Sequence, residues 1–173
     1  MAILLTVVNL AGMRILARCL AEVDGLQTIL VNANDPWKEG PELLEGADGA
    51  VVFVSHGAHW LVSDPVRLAA FRRLAARKGG LVVLHWGMGT RTAEPIDAFV
   101  KLFGACHGGP DRKFIVAEAV LTPVSDSPAA VGLPKFKLRD EFYYRLKRAA
   151  DDPGLRPALL AKILSGLAMV CVV

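Results

Sequence analysis

The chain alternates between short, wholly apolar runs and longer stretches in which apolar residues return every three or four positions. Leu81–Leu84, inside the segment GGLVVLHWGMG, is such a run. It has no polar alternation, as expected of a strand covered on both faces of a parallel sheet. Ala2–Val8, Thr28–Val31, Ala50–Val54 and Phe114–Leu121 are likewise read as strands. Met13–Val23 sets Ile15, Leu16, Cys19 and Leu20 on one face, with Arg14, Arg18 and Glu22 mostly elsewhere. That spacing predicts an amphipathic helix. Pro41–Leu44 has room for one helical turn, and Ile96–Phe103 for a short helix. The best-marked helix follows Pro65: Ser63 or Asp64 can cap it, and Leu68, Phe71, Leu74 and Ala75 form its apolar stripe. Arg67, Arg72, Arg73, Arg77 and Lys78 fall outside the stripe and predict a solvated face. Phe136 and Leu138 alternate with Lys135, Lys137 and Arg139, as in a half-exposed strand, and Leu167–Val173 has the composition of a last one.

This alternation predicts an α/β fold: one doubly wound, mainly parallel sheet of about five strands, Leu81–Leu84 at its centre, helices on both faces. No repeat or linker divides the 173 residues, so one domain is expected over 1–173. Hydrophobic residues make up 53% and mean hydropathy is +0.40. Even so, no run reaches the ~18 apolar residues of a membrane span, and no membrane partner is expected. Met1–Val8 has no basic region ahead of it and no small-residue cleavage site, and Cys19, Cys106 and Cys171 are odd in number and far apart. Both point to a reducing, cytoplasmic setting. A net charge of +3, with no basic block interleaved with aromatics, gives nucleic-acid binding no support. At a sheet edge, Leu167–Val173 would leave an apolar border, from which a homo-oligomer is expected.

The chemistry gathers at strand ends. His85 leaves the Leu81–Leu84 run, followed by Trp86-Gly87-Met88-Gly89, and Ser55-His56-Gly57-Ala58-His59-Trp60 leaves Ala50–Val54. Ligands of open α/β sheets sit outside the carboxyl ends of strands. On neighbouring parallel strands His56, His59 and His85 converge on one cleft; otherwise each simply caps its strand. Asp140, Glu141 and Tyr143 supply an acidic and aromatic group beside them. Imidazole with carboxylate is what acid–base chemistry needs. Adjacent residues of an extended chain point to opposite sides. One carboxylate therefore lines the cleft, with Glu141 the longer-reaching choice and Asp140 structural. A carboxylate beside His85 would favour the charged form of both, leaving the imidazole a better acid than base. The His56–His59 spacing permits a metal, but true sites need three or more ligands, and no metal site is assigned. His107 reads as a further ligand or a loop residue, and Cys106 has no basic helper in sequence.

The segments ADGAVVFVSHGAHW, GGLVVLHWGMG and SDSPAAVGLPKFKLRDEFYYRLK resemble the trehalose-utilisation (ThuA-like) domains. The resemblance covers roughly Arg14–Lys147. In that family a strand ending in His-Gly or His-Trp precedes a His-Pro-Ile-x-x-Gly-Leu-x-x-Phe stretch and an Asp-Glu-x-Tyr motif. The likeness implies a class I glutamine-amidotransferase-like fold, a flavodoxin-like three-layer sandwich. It puts His85 where amidotransferases carry a nucleophilic cysteine, which removes glutaminase chemistry. It also implies roles for Asp140, Glu141 and Tyr143, with Gly132 and Phe136 in support. Ser127-Pro128 replaces the family's His-Pro, Met1–Gly12 lacks its Gly- and His-rich loop, and the family pattern continues beyond Val173.

Three functions follow as expectations. The first is an enzyme of carbohydrate metabolism whose small-molecule partner is a sugar or keto-sugar. In it His85, Glu141, Asp140 and Tyr143 are catalytic, and His56, Trp60 and Trp86 bind substrate. The second is a sugar-binding or accessory domain without turnover. The third is a hydrolase using a metal on His56, His59 and His85. The residues name no cofactor.

Overall fold

The computed structural model describes residues 1–7, 10–149, 154–163 and 166–172, the last group as backbone only. β1 (Ala2–Val7) leads into α1 (Leu10–Leu20), followed by β2 (Gln27–Asn32), α2 (Gly40–Glu45) and β3 (Gly49–Phe53). α3 (Gly57–Val62), α4 (Pro65–Ala76) and β4 (Gly80–Val83) complete this half. The four strands form a parallel sheet in the order β2-β1-β3-β4. Leu4, Ala50 and Val52 face Leu44, Leu61, Phe71 and Leu74 on one side, while Leu5, Val7 and Val51 face Met13 and Leu16 of α1 on the other. Consecutive strand residues point to opposite faces, so β1 needs an unbroken apolar run because helices cover both. Among the described residues, no helix is long and apolar enough to cross a membrane.

Beyond β4 come a 3-10 turn (His85–Met88), β5 (Gly89–Thr90), α5 (Ile96–Phe103) and β6 (Ala105–Gly108). β7 (Lys113–Pro123), β8 (Phe136–Tyr144), β9 (Lys147–Arg148), β10 (Pro157–Ile163) and β11 (Gly166–Val172) follow. β5, β6 and β9 make a small sheet, and a second four-stranded sheet runs β11-β10-β7-β8 with antiparallel neighbours throughout.

Two expectations about the sheet are corrected. The strands do not form one mainly parallel sheet, and Leu81–Leu84 is not central: β4 is an edge strand, with Val82 49% exposed. Leu81 and Val83 pack into the helix-covered core on one face while Val82 on the other is largely exposed, so the run is more apolar than its position requires. Of the leucines in the parallel sheet, Leu4 and Leu5 of β1 are the fully buried ones, whereas Leu84, just after β4, is half-buried. The antiparallel sheet has a physical origin in alternation. One face of β7 and β8 packs Ala119, Leu121 and Phe142, and the other carries the exposed Lys137–Glu118 ion pair at 2.6 Å. One-sided strands of this kind favour antiparallel pairing. β11 stands at one edge of that sheet. The expected extensions of the first and last strands to Val8 and Val173 lie outside the described residues.

α4 begins as its sequence dictates, with Asp64 Oδ1 accepting the N–H groups of Val66 (2.8 Å) and Arg67 (3.2 Å). Its basic face is only partly solvated. Arg73 and Arg77 pair with Glu45, and Arg77 also donates to the carbonyls of Leu44, Glu45 and Ala47, tying α2 to α4. Arg67 overturns the solvated reading: it is 2% exposed, lies 4.1 Å above the Trp60 ring, and donates to Trp60 O and the Asp35 carboxylate. A flat guanidinium can be buried against an indole where an ammonium would lose too much hydration.

The strands β3 and β4 both end in a left-handed histidine, His56 at φ 58° and His85 at φ 52°. Each turns straight into a helix or 3-10 turn. The turns touch backbone to backbone: a Cβ on Gly57 would lie 2.1 Å from Gly87 O. A Cβ on Gly87 would lie 2.9 Å from Val83 Cγ2 and 3.0 Å from Val52 O. No side chain fits between the two turns, so the glycines set how closely the strand ends approach. Gly57→Ala is therefore expected to destabilise by ~1–3 kcal/mol or more, the usual range for overpacking, in chemical denaturation. Gly12→Ala, whose Cβ meets only the Phe53 ring at 3.4 Å, is the control and changes little. A Gly57→Ala protein as stable as the control contradicts the nesting.

Candidate active site

A pocket of about 490 Å³ opens at the carboxyl ends of β3 and β4, within the size range of small-molecule sites. Phe53, Val54 and Ser55 supply its floor and His85 and Trp86 one wall, while His107, Arg112, Phe114, Glu141 and Tyr143 close the opposite side. A larger hollow of about 710 Å³ lies at the other end of the sheet. Of its charged residues Asp48, Arg77 and Lys78, the first two are already bonded to backbone, to Ala2 N–H and to the carbonyls that end α2. The first pocket is the one with free chemistry.

Each wall residue has a local reason to be there. On β8, Glu141 and Tyr143 are two apart and share a face, opposite Val116 and Phe114 of β7. Asp140 points to the other side, is exposed, and its Oδ1 accepts the Glu141 N–H at 2.8 Å. The elbow at His85 turns its ring to Tyr143, with Nδ1 3.2 Å from the phenolic oxygen. Burial first, then hydrogen bonding with and the charge of the neighbouring Glu141 carboxylate, hold the Tyr143 proton on. A hydroxyl has one hydrogen. Turned to Glu141, it leaves His85 Nδ1 to donate and Nε2 as the acceptor; turned to His85, it reverses the two nitrogens.

The remaining rings pack as a stack. His107 lies flat on Tyr143, centroids 4.1 Å apart and 5° from parallel, and Trp86 meets it edge-on at 5.5 Å. Read from sequence as a loop residue or ligand, His107 is a buried strand residue of β6 whose Nε2 donates to Lys113 O at 2.9 Å. Burial lowers its pKa from 6.5, and the positive Arg112 and Lys147 add to the fall. His56 stacks between His59 (5.0 Å) and Trp86 (5.9 Å), and its Nε2 accepts the Arg91 N–H. Its pKa is lowered by burial first and then by His59, Arg91 and Arg112. A ring nitrogen held as an acceptor from a backbone amide fixes a neutral histidine, so His56 positions Trp86 rather than moving protons.

The structure thus brings His85, Trp86, Glu141 and Tyr143 together, sets His56 just behind Trp86, and leaves Asp140 outside. Trp60 is corrected: it is 8% exposed, donates through Nε1 to Ala33 O at 3.1 Å, and packs on Trp37, so no ligand reaches it. An aromatic inside α3 faces the core, whereas Trp86 in a turn does not. Cys106 is fully buried, and burial pushes its thiol up to about 12, far from a nucleophile. Among the described residues, no three His, Cys, Asp or Glu side chains are grouped to hold a metal ion. Arg112 and Phe114 were missed, and His107 was weighed only as a ligand or a loop residue. Their segment, from Cys106 to Phe114, gives no periodic signal, and only its basic and aromatic content marked it.

His107 yields a pH prediction. Its folded pKa lies below 6.5, so on acidification the unfolded chain takes up a proton that the folded one refuses. Stability from this group is whole above about pH 6.5 and falls as pH drops below it. His107→Gln, which keeps a donor for Lys113 O and does not titrate, is expected to show a smaller loss of stability from about pH 7 to about pH 5 than the wild type. Equal losses in denaturation curves contradict this.

The chain matches no family model and no curated protein sequence. Among solved structures it is similar to the structure of PurLQS from Thermotoga maritima, with a TM-score of 0.53 and 15% sequence identity. The similarity covers 92% of this chain and 74% of that one. At that identity the likeness concerns architecture alone, and it supports an α/β fold built on the parallel sheet.

Proposed function

We propose that this is a ThuA-like enzyme of carbohydrate metabolism, moving a proton on a sugar or keto-sugar in the pocket at the ends of β3 and β4. Its scaffold is a class I glutamine-amidotransferase-like, flavodoxin-type sandwich. In that reading His85 occupies the elbow where amidotransferases carry cysteine. The observation that carries the proposal is the chain from Glu141 through Tyr143 to His85, with Tyr143 Oη 3.2 Å from His85 Nδ1.

The chemistry follows from donors and acceptors. His85 Nε2, the free acceptor, takes a proton from a carbon beside the sugar carbonyl, and the electron pair moves onto the carbonyl oxygen. The imidazolium that forms is stabilised through Tyr143 by the Glu141 carboxylate; it returns the proton to the former carbonyl carbon, while the adjacent hydroxyl gives its own proton to the former carbonyl oxygen and becomes the new carbonyl. No oxidant or metal enters this balance. Trp86 and Phe114 offer apolar faces for the ring of a sugar.

A sugar-binding role without turnover has one observation in its favour. Ser127, at the position of the resembling family's His-Pro histidine, is buried and lines no part of this pocket. The metal-dependent alternative lacks a ligand set among the described residues.

The test is deuterium incorporation from D₂O into a panel of ketoses, aldoses and keto-disaccharides, followed by NMR. Wild type is expected to label the carbon beside the carbonyl of at least one. His85→Gln should lower the rate about 10²–10⁴-fold, the usual contribution of a general base. Tyr143→Phe should lower it too, with circular dichroism unchanged in both. Binding without labelling in the wild type favours the non-catalytic role, and a full rate in His85→Gln overturns the mechanism.

A further inference from the structure

The proposed proton transfer leaves Arg112 unused. Its guanidinium is half-buried in the pocket wall, 5.6 Å above the Trp86 ring, with Nη1 donating to Gly109 O at 3.1 Å. Neither partner is an anion. The other buried or clustered arginines behave differently: Arg67 takes Asp35 and Asp64, while Arg73 and Arg77 take Glu45. The nearest acid in sequence, Asp111, is held by Lys147 at 2.6 Å. Glu141 acts on Tyr143, helping to hold its proton on. Among the described residues, Arg112 is therefore a cation facing a largely apolar pocket without a carboxylate. A charge drawn out of water in that way costs stability unless a counter-charge arrives. Its remaining N–H groups form a planar fork suited to carboxylate or phosphate oxygens.

We infer that the pocket takes a ligand bearing an anionic oxygen group, a carboxylate or a phosphate, which is seated on Arg112. The class of substrate is then an acidic or phosphorylated sugar rather than a neutral one. This rests on the sugar reading above for its ring and reacting carbon, but not for its charge.

Placement along β7 and β8 agrees with two ends of one site. Val116 stands opposite Glu141, and Phe114 opposite Tyr143. Arg112, four positions before Val116, is thus about 13 Å of extended chain from the Glu141 rung. The positive field at this end is felt by its neighbours, since Arg112 helps to keep both His56 and His107 neutral. Those two rings then add no positive charge of their own, and Arg112 alone selects the anion.

Calorimetric titration with glucuronate, a hexose phosphate and uncharged glucose tests the inference. At least one anionic probe is expected to bind tenfold or more tightly than glucose, and the better of the two identifies carboxylate or phosphate. Arg112→Gln should weaken that probe by roughly a hundredfold, as for truncation of a buried charge partner, and leave glucose unchanged. Should Arg112→Gln not fold, the wild type still decides, because raising the ionic strength must weaken the anionic probe and spare glucose. Glucose bound as well as either anion, or an Arg112→Gln protein with unchanged affinity for the anion, overturns the inference and leaves the proton-transfer reading standing. Tight, Arg112-dependent binding of an anion without deuterium labelling removes catalysis and keeps the anion site. Failure of every probe to bind removes both.

Discussion

The site depends on a contact that contains no side chain. Gly57, at the start of the turn after β3, meets the carbonyl of Gly87, in the turn after β4. Parallel strands already place their carboxyl ends side by side, but ordinary residues would hold the two turns apart. With glycine at both positions the turns nest, His56 and Trp86 stack at 5.9 Å, and His85 swings outward at a left-handed φ of 52°. A left-handed non-glycine residue costs of order a kcal/mol or more. It persists only where surroundings over-determine it, and here the packed turn behind it does so. Everything the pocket offers at its inner wall follows from that approach.

The outer wall comes from a different kind of structure. β7 and β8 form an antiparallel ladder that has one face packed and the other free, so residues two apart on β8 present a continuous chemical surface. Glu141 and Tyr143 belong to that surface, and Tyr143 is where the two halves of the molecule meet. It stacks on His107 of β6 at 4.1 Å and bonds His85 of the elbow at 3.2 Å. A phenol with its proton held on by burial and by a carboxylate can hardly serve as a base. In the proposed mechanism its work is to fix the hydrogen-bond polarity of His85. Arg112 lines the same cavity and brings a cation to it, and the two proposals together assign the pocket a reacting end and an anchoring end.

Much of this was legible in the residues. Asp64 and Pro65 mark the start of α4, α5 spans the expected Ile96–Phe103, and period-two alternation puts Glu141 and Tyr143 on one side of a strand with Asp140 on the other. These are local signals, set by capping and by side-chain direction. Strand order is not local. The run Leu81–Leu84 looks like a central strand, yet nothing in it encodes which neighbour it lacks. Burial of long polar side chains is equally hidden: Arg67 has the spacing of a surface residue, and only the Trp60 ring and Asp35 carboxylate, brought in from elsewhere, make its burial tolerable. His107 and Arg112 sit in a stretch without periodicity, so the sequence shows their chemistry but not their direction.

The central claim is that Tyr143 gives its proton to Glu141 and takes one from His85, leaving Nε2 free to act. Nitrogen-15 NMR of the histidine side chains reads that tautomer directly. With His85 neutral, its cross-peaks are expected to show the proton on Nδ1 and a bare Nε2, and Tyr143→Phe should release this preference. A proton found on Nε2, with Nδ1 bare and accepting from Tyr143, would contradict the account. His85 would then point a donor into the pocket and could not be the base.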